Sequence, residues 1–152
     1  NAMCWTIHYI RFRRPNSFIN AFGLLIMGHG AATPIGGKLA AGDCPVVALI
    51  GNGAFQMNGM EVDTAVSNDV PIVWIVQNNA KLGFVHDLQK FSLGENTVAT
   101  TFKPVDLAKV AEGLGAVGCR TSKPNELKEL LLKAIASLPL LTALSIQTRF
   151  PR

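Results

Sequence analysis

Val46-Val47-Ala48-Leu49-Ile50-Gly51-Asn52-Gly53 is the stretch that decides the fold, because an apolar run ends there in a glycine turn before a helical segment. A second apolar run, Pro71 to Gln77, ends similarly at Asn78-Asn79-Ala80-Lys81-Leu82-Gly83. Continuous apolar strands are typical of a parallel sheet with helices on both faces. Open α/β sheets bind small molecules at the carboxyl ends of such strands. We therefore predict that the two turns face one ligand.

The residue types in the two turns indicate which ligand this is. Gly51 and Gly53 let the backbone approach a ligand closely, and Ala54 and Phe55 are expected to offer free N–H groups at a helix start. The side chains of Asn52 and Asn79 and the carbonyl of Lys81 are neutral oxygen ligands that a hard cation such as Mg²⁺ accepts. The pattern predicts a site for a phosphate-bearing ligand with a bridging divalent ion.

The rest of the chain alternates between strand-like and helix-like segments, which favours one α/β domain over residues 1–152 with parallel strands and right-handed crossovers. The predicted helices are a first one that closes before Pro15, then Ala31–Ala41, Asn58–Val66, a short Leu82–Leu88, one that starts at Pro104 and one that starts at Pro124. The remaining predictions are an extended piece at Asn16–Ala21, a tight turn at Gly23–Gly30, a loop at Gln89–Phe102, and strands at Ala116–Arg120 and Leu141–Gln147.

Composition and charge exclude several classes of function. Hydrophobic residues make up 49% of the chain and charged residues only 16%, which indicates a surface that meets a partner. The net charge of +4 comes partly from Arg11, Arg13 and Arg14, but no nucleic-acid-reading motif accompanies them, so we expect a solvated face and no nucleic-acid partner.

Cysteine usage and hydropathy bear on where the protein works. Cys4, Cys44 and Cys119 are odd in number and lack metal-ligand spacing, which favours reduced thiols and a cytoplasmic location. No apolar run reaches the ~18 residues of a membrane span, and the N-terminus lacks the layout of a signal peptide. We expect no membrane partner, and we expect Asn1-Ala2 before Met3 to be a cloning remnant.

The two turns also carry a resemblance to a known family. Gly51-Asn52-Gly53 followed by Asn78-Asn79 resembles the thiamine-diphosphate motif GDG…NN, and the run from Gly51 to Val66 is similar to the C-terminal cofactor domain of acetolactate (acetohydroxyacid) synthases. The similarity reaches from Trp5 to about Gly118. It implies the three-layer thiamine-diphosphate-binding fold, Mg²⁺, a homo-oligomer such as a dimer, and a place in branched-chain amino acid biosynthesis.

The resemblance implies roles for Asn52 of the first turn and for two residues upstream of it, Leu25 and Met27. Asn52 stands where the family has a Mg²⁺-binding aspartate, and an amide should hold the ion more weakly; alternatively, Asn52 only stabilises a tight turn. Met27 matches the bulky residue between the two cofactor rings, or is a core methionine. Leu25 replaces a glycine whose carbonyl accepts a hydrogen bond from the cofactor amino group.

In the second turn, the resemblance makes Asn79 the second metal ligand and the carbonyl of Lys81 the third. His86 and Asp87 either form a general acid–base pair or lie at the surface. Family members that favour a larger second keto acid carry tryptophan at the position of Leu88. The leucine here therefore puts a preference for a larger second keto acid in doubt. The residues implied to line the cofactor and substrate side are Leu82, Gly83, Phe84 and Val85.

The resemblance assigns no catalytic side chain to this chain. The glutamate that activates thiamine lies, in the family, on an N-terminal domain, usually of a second subunit, and no stretch here resembles that domain. We therefore expect the chain alone to be inactive, with the missing part supplied by a homo-oligomer or by a separate N-terminal-domain polypeptide.

The implied reaction is decarboxylation of a 2-oxo acid such as pyruvate and carboligation to a second 2-oxo acid. Three alternatives stay open. One is a 2-oxo-acid decarboxylase of the same superfamily. Another is a non-catalytic remnant or assembly subunit, favoured by Asn52, Leu25 and the atypical tail Leu138–Arg152. The third is a nucleotide-binding module, although the glycine turn lacks both GxGxxG and the P-loop lysine.

Overall fold

The computed structural model describes residues 2–137 and the backbone of residues 142–147. Its strands form one four-stranded parallel sheet in the order β1-β2-β4-β3. The strands are β1 Val47–Gly51, β2 Val73–Asn78, β3 Val117–Thr121 and β4 Thr142–Gln147. The predicted parallel α/β arrangement is confirmed. The proposed atypical tail lies outside the described residues apart from the backbone of β4.

The helices connect the strands and cover the sheet. They are α1 Ala2–Tyr9, α2 His29–Ala41, α3 Asn52–Asn58, α4 Glu61–Ser67, α5 Gly83–Leu93, α6 Leu107–Gly113 and α7 Pro124–Ala136. None of these helices within the described residues combines the length and the hydropathy needed to cross a membrane. Cys4, Cys44 and Cys119 form no disulfide among the described residues.

Two separate hydrophobic clusters show that both faces of the sheet are covered. Trp74 is fully buried in the larger cluster, where α2, α3, α4 and α6 cover one face, and its indole N–H donates to the Ala31 carbonyl at 3.2 Å. Val73 and Ile75 point to the opposite face and meet Ala134 of α7. Because strand side chains alternate between faces, β2 is buried on both sides, which confirms the three-layer arrangement.

Several predicted boundaries are wrong near the first strand. The predicted helix Asn58–Val66 corresponds to α4, which begins only at Glu61; a separate helix, α3, precedes it and begins directly at Asn52 after the extended N-cap Gly51 (φ −80°, ψ 152°). Helix α1 ends at Tyr9 rather than near Arg14. Residues 16–21 contain no strand, and Asn16 has a positive φ of 56°.

The boundaries after β2 also differ from the prediction. Helix α5 continues to Leu93 and ends at Gly94, whose φ of 67° is a conformation that glycine adopts without strain, so the predicted loop from Gln89 begins only there. Helix α6 begins at Leu107 and not at Pro104, because the Asp106 side chain is its N-cap and accepts from the Lys109 N–H at 3.3 Å.

Candidate functional site

The two turns predicted to face one ligand lie side by side. Gly51 is the register partner of Gln77, so β1 and β2 end at the same edge of the sheet. A Cβ placed on Gly53 would lie 2.5 Å from Leu82 Cδ2, which shows how closely the turn after β1 approaches the turn after β2. The predicted convergence of the two strand-end turns is present in the structure.

Asn52 lies at the centre of this convergence and is only 2% exposed. Its side-chain amide faces three acceptors, and the orientation that satisfies them directs the amide nitrogen at Asn79 Oδ1 (3.0 Å), the Lys81 carbonyl (3.3 Å) and the Gln77 carbonyl (3.3 Å). Asn79 Oδ1 also accepts from the Lys81 N–H at 3.1 Å. The structure therefore brings together Asn52, Asn79 and Lys81, the residues predicted to hold a metal, and it links them through direct hydrogen bonds.

This donor set does not fit a divalent cation as it stands. Asn79 Oδ1 and the Lys81 carbonyl are suitable oxygens, but the group of Asn52 that faces them is an N–H donor, which a cation cannot use. The described part of the chain contains no cluster of three or more His, Cys, Asp or Glu residues suited to a metal. The assignment of Asn52, Asn79 and Lys81 as metal ligands thus stays a prediction.

The apolar wall of the site forms around Gly53. Besides Leu82, the same added Cβ would lie 3.4 Å from Met27 Cε and 3.8 Å from Phe102 Cε2. Met27 is 39% exposed, so it is not a core methionine. Gly53 therefore lets the first turn pack against Leu82 more closely than a residue with a Cβ could, with Met27 and Phe102 beside it.

Phe102 was missed by the sequence analysis, because it falls in a segment that was predicted to be an irregular loop. The structure ties that segment to the second turn: the Leu82 N–H donates to the Thr100 carbonyl at 2.9 Å, and the Phe102 N–H donates to the Ala80 carbonyl at 2.8 Å. These bonds flank an isolated antiparallel bridge between Lys81 and Thr101. The aromatic residue between turn formers was the one signal that could have identified it.

His86 has a structural role in the same segment. It is buried, and its Nδ1 lies 2.8 Å from the hydroxyl of Thr100, which is itself only 2% exposed. This pair joins α5 to the segment that carries Phe102. His86 therefore neither lies at the surface nor has its Nδ1 available for a general acid–base pair with the exposed Asp87.

The remaining predicted residues lie around the rim. Leu25 is 60% exposed and has a φ of 51°, a left-handed conformation that glycine adopts without strain and that leucine rarely adopts. Gly83 is half-buried at the start of α5, while Phe84 and Val85 are exposed on its first turn beside the site. Exposed Leu88 follows one turn later.

The N–H groups available at the first turn differ by one position from the prediction. Because α3 begins at Asn52, the N–H groups without an intrahelical acceptor include those of Gly53 and Ala54. The Phe55 N–H comes one position later, where helical bonding to the Gly51 carbonyl is expected, so its prediction as a free donor is wrong.

Two carboxyl groups have lowered pKa values, and both lie outside this site. The pKa of Asp106 is lowered mainly by the backbone N–H of Lys109, with a smaller contribution from Arg120. The pKa of Glu95 is lowered by its hydrogen bond to Lys90. Both effects stabilise helix ends or loops and do not indicate acid–base chemistry at the strand ends.

The family model of the thiamine pyrophosphate enzyme C-terminal TPP-binding domain matches residues 1–142. The chain belongs to this family. The predicted resemblance is thereby confirmed, and the strand-end turns lie at the carboxyl edge of the parallel sheet, where open α/β sheets bind ligands.

Several relatives of this C-terminal domain are acetolactate synthase large subunits. The chain is 35% identical over 132 residues to a probable acetolactate synthase large subunit of Methanococcus aeolicus, which covers 86% of this chain and 22% of that protein. It is 36% identical over 137 residues to the acetolactate synthase large subunit of Haemophilus influenzae, covering 90% of this chain and 24% of that protein.

A solved structure supports the same fold. A thiamine diphosphate-dependent 4-hydroxybenzoylformate decarboxylase of Rhodococcus jostii RHA1 matches with a TM-score of 0.77 and 25% sequence identity, over 82% of this chain and 24% of that one. The chain therefore spans about a quarter or less of the length of these relatives.

Proposed function

We propose that this chain binds thiamine diphosphate at the ends of β1 and β2, as the cofactor domain of an acetolactate-synthase-like enzyme. The observation that carries the proposal is the convergence of the two strand-end turns, where Gly53 packs against Leu82 and Met27 and directly follows Asn52 of the Asn52–Asn79–Lys81 group. Family membership supports the same ligand.

In this proposal each group of the chain has a binding role. The N–H groups of Gly53 and Ala54 meet the diphosphate, and Gly53 lets the backbone approach it closely. Met27 supports the bent cofactor from one side, and Leu82, Phe84 and Val85 exclude water on the other. The bound cofactor supplies the electron sink for decarboxylation.

The finer parts of the proposal concern the whole enzyme. We propose pyruvate or a related 2-oxo acid as substrate, a homo-oligomer or a separate N-terminal-domain partner that completes the site, and a cytoplasmic location. Relatives that are acetolactate synthase subunits support the substrate class and a place in branched-chain amino acid biosynthesis. We propose that magnesium binds here only weakly and only with the cofactor diphosphate, because it must first displace the Asn52 amide.

Titration calorimetry on the chain, with thiamine diphosphate and separately with inorganic diphosphate, tests the binding site. Gly53→Ala should weaken binding about tenfold, because its new methyl group would overlap the Leu82 side chain and push the two turns apart. Gly36→Ala is the matched control, since a Cβ at Gly36 on α2 would meet nothing within 4 Å. Equal affinities of the two variants, or no heat from either ligand with folded protein, would refute the assignment.

A 2-oxo-acid decarboxylase is the second candidate, and the structural match to the Rhodococcus decarboxylase favours it. Product analysis of the full-length protein with pyruvate separates the two: acetolactate supports the synthase, and acetaldehyde supports the decarboxylase. A non-catalytic assembly subunit would give neither product, even after co-purification with any polypeptide that supplies the N-terminal domain. A nucleotide-binding module would instead be indicated if NAD or ATP raised the unfolding temperature of the chain and thiamine diphosphate did not.

A further inference from the structure

The orientation of the Asn52 amide follows from what surrounds it. With its oxygen turned inward, three acceptors would face a fourth acceptor in a buried position. With its nitrogen turned inward, two N–H groups are shared among Asn79 Oδ1 and the carbonyls of Lys81 and Gln77, at 3.0 to 3.3 Å. Leaving buried acceptors unpaired is costly, so the inward nitrogen is the stable arrangement.

We propose that the Asn52 amide takes the place of a cation, holding the two strand-end turns together without metal. Two of the oxygens to which it donates, Asn79 Oδ1 and the Lys81 carbonyl, are the oxygens that a hard cation would bind. The NH₂ group presents partial positive charge to both. The Lys81 N–H keeps Asn79 Oδ1 pointed at the amide, so the arrangement closes on itself within the chain.

The proposal makes an opposite prediction for the carboxylate. An aspartate at position 52 has no N–H to donate, so its oxygens would face the same three acceptors and require a cation between them. Asn52 thus converts a site that would depend on metal into one that is organised by the polypeptide alone. This inference does not depend on the proposed function, since it concerns the chain before any cofactor binds.

Thermal unfolding of the chain tests the proposal. The Tm is measured without thiamine diphosphate, in EDTA and in MgCl₂, at constant ionic strength near pH 8. We expect the Tm of the wild type to be the same in both conditions. Asn52→Asp should unfold about 5 °C lower in EDTA and recover about 4 °C when magnesium is about ten times its Kd. Asn96→Asp, in the exposed segment after α5, makes the same change of charge and should show neither effect.

Nuclear magnetic resonance of the wild type gives a second test that does not depend on the variant folding. The Asn52 side-chain amide protons should exchange slowly with solvent and should not shift as MgCl₂ is added. The proposal is overturned if these protons exchange as fast as those of exposed Asn96, if magnesium stabilises the wild type as much as Asn52→Asp, or if Asn52→Asp in EDTA matches the wild type. Because no cofactor is present, these outcomes are independent of whether thiamine diphosphate binds.

Discussion

The pair formed by His86 and Thr100 should control both the stability of the chain and the order of the candidate site. Both residues are buried, and their side chains meet at 2.8 Å. Thr100→Val keeps the shape and β-branching of the side chain but leaves the ring nitrogen of His86 without its partner. A buried polar group left unpaired costs about 1–3 kcal/mol.

That cost can be converted into a measurable shift of the unfolding temperature. At about 2–4 °C per kcal/mol for a domain of this size, a loss of about 2 kcal/mol lowers Tm by about 4–8 °C. Thr101→Val is a close control, because Thr101 is the exposed neighbour and its contact with Lys81 is made through the backbone. We expect this control to change Tm by about 1 °C or less.

The same change should loosen the segment that carries Phe102. In Thr100→Val, hydrogen exchange should accelerate at the N–H groups of Leu82 and Phe102, which join this segment to the second turn. Removing both polar partners is less costly than removing one, so His86→Leu combined with Thr100→Val should recover part of the loss. Equal Tm values for Thr100→Val and Thr101→Val, with unchanged exchange at both amides, would refute the reasoning.

Two further perturbations follow from the packing and the capping of α6. Gly118→Ala should lower the free energy of unfolding by about 1–3 kcal/mol in urea denaturation, because its Cβ would overlap the Ala108 backbone, whereas Gly113→Ala has open space and should be neutral or stabilising. Asp106→Ala should cost about 1 kcal/mol by removing the N-cap, and Asp106→Asn should cost less because asparagine also caps. Since the pKa of Asp106 is lowered in the fold, its charge stabilises the protein above the unfolded pKa of about 3.9, and this contribution disappears as pH falls through the folded pKa. The Tm difference between wild type and Asp106→Asn should therefore shrink below about pH 4, and a constant difference down to pH 2 would contradict the assignment.

Local sequence determined the framework of this protein. The continuous apolar runs at β1 and β2 predicted strands covered on both faces, which holds for β2, whereas β1 lies at the sheet edge and leaves Val47 exposed; the glycine and asparagine residues that follow marked where the strands end. Because parallel neighbours end at one edge of a sheet, the meeting of Gly53 with the turn after β2 could be predicted from these runs alone. The family motif then indicated the cofactor.

Tertiary structure decided the features that depend on contacts between distant residues. The backbone hydrogen bonds that join Thr100 and Phe102 to the second turn could not be predicted from the sequence. The pattern of residues in a loop does not indicate which distant segment the loop will pair with. The direction of the Asn52 amide is a similar case, since asparagine can present either oxygen or nitrogen and only the three acceptors around it select one. Sequence thus determined where the strands end and which residues gather there. Only the folded structure decided that Asn52 donates hydrogen bonds, because the role of an amide group is set by the acceptors and donors around it.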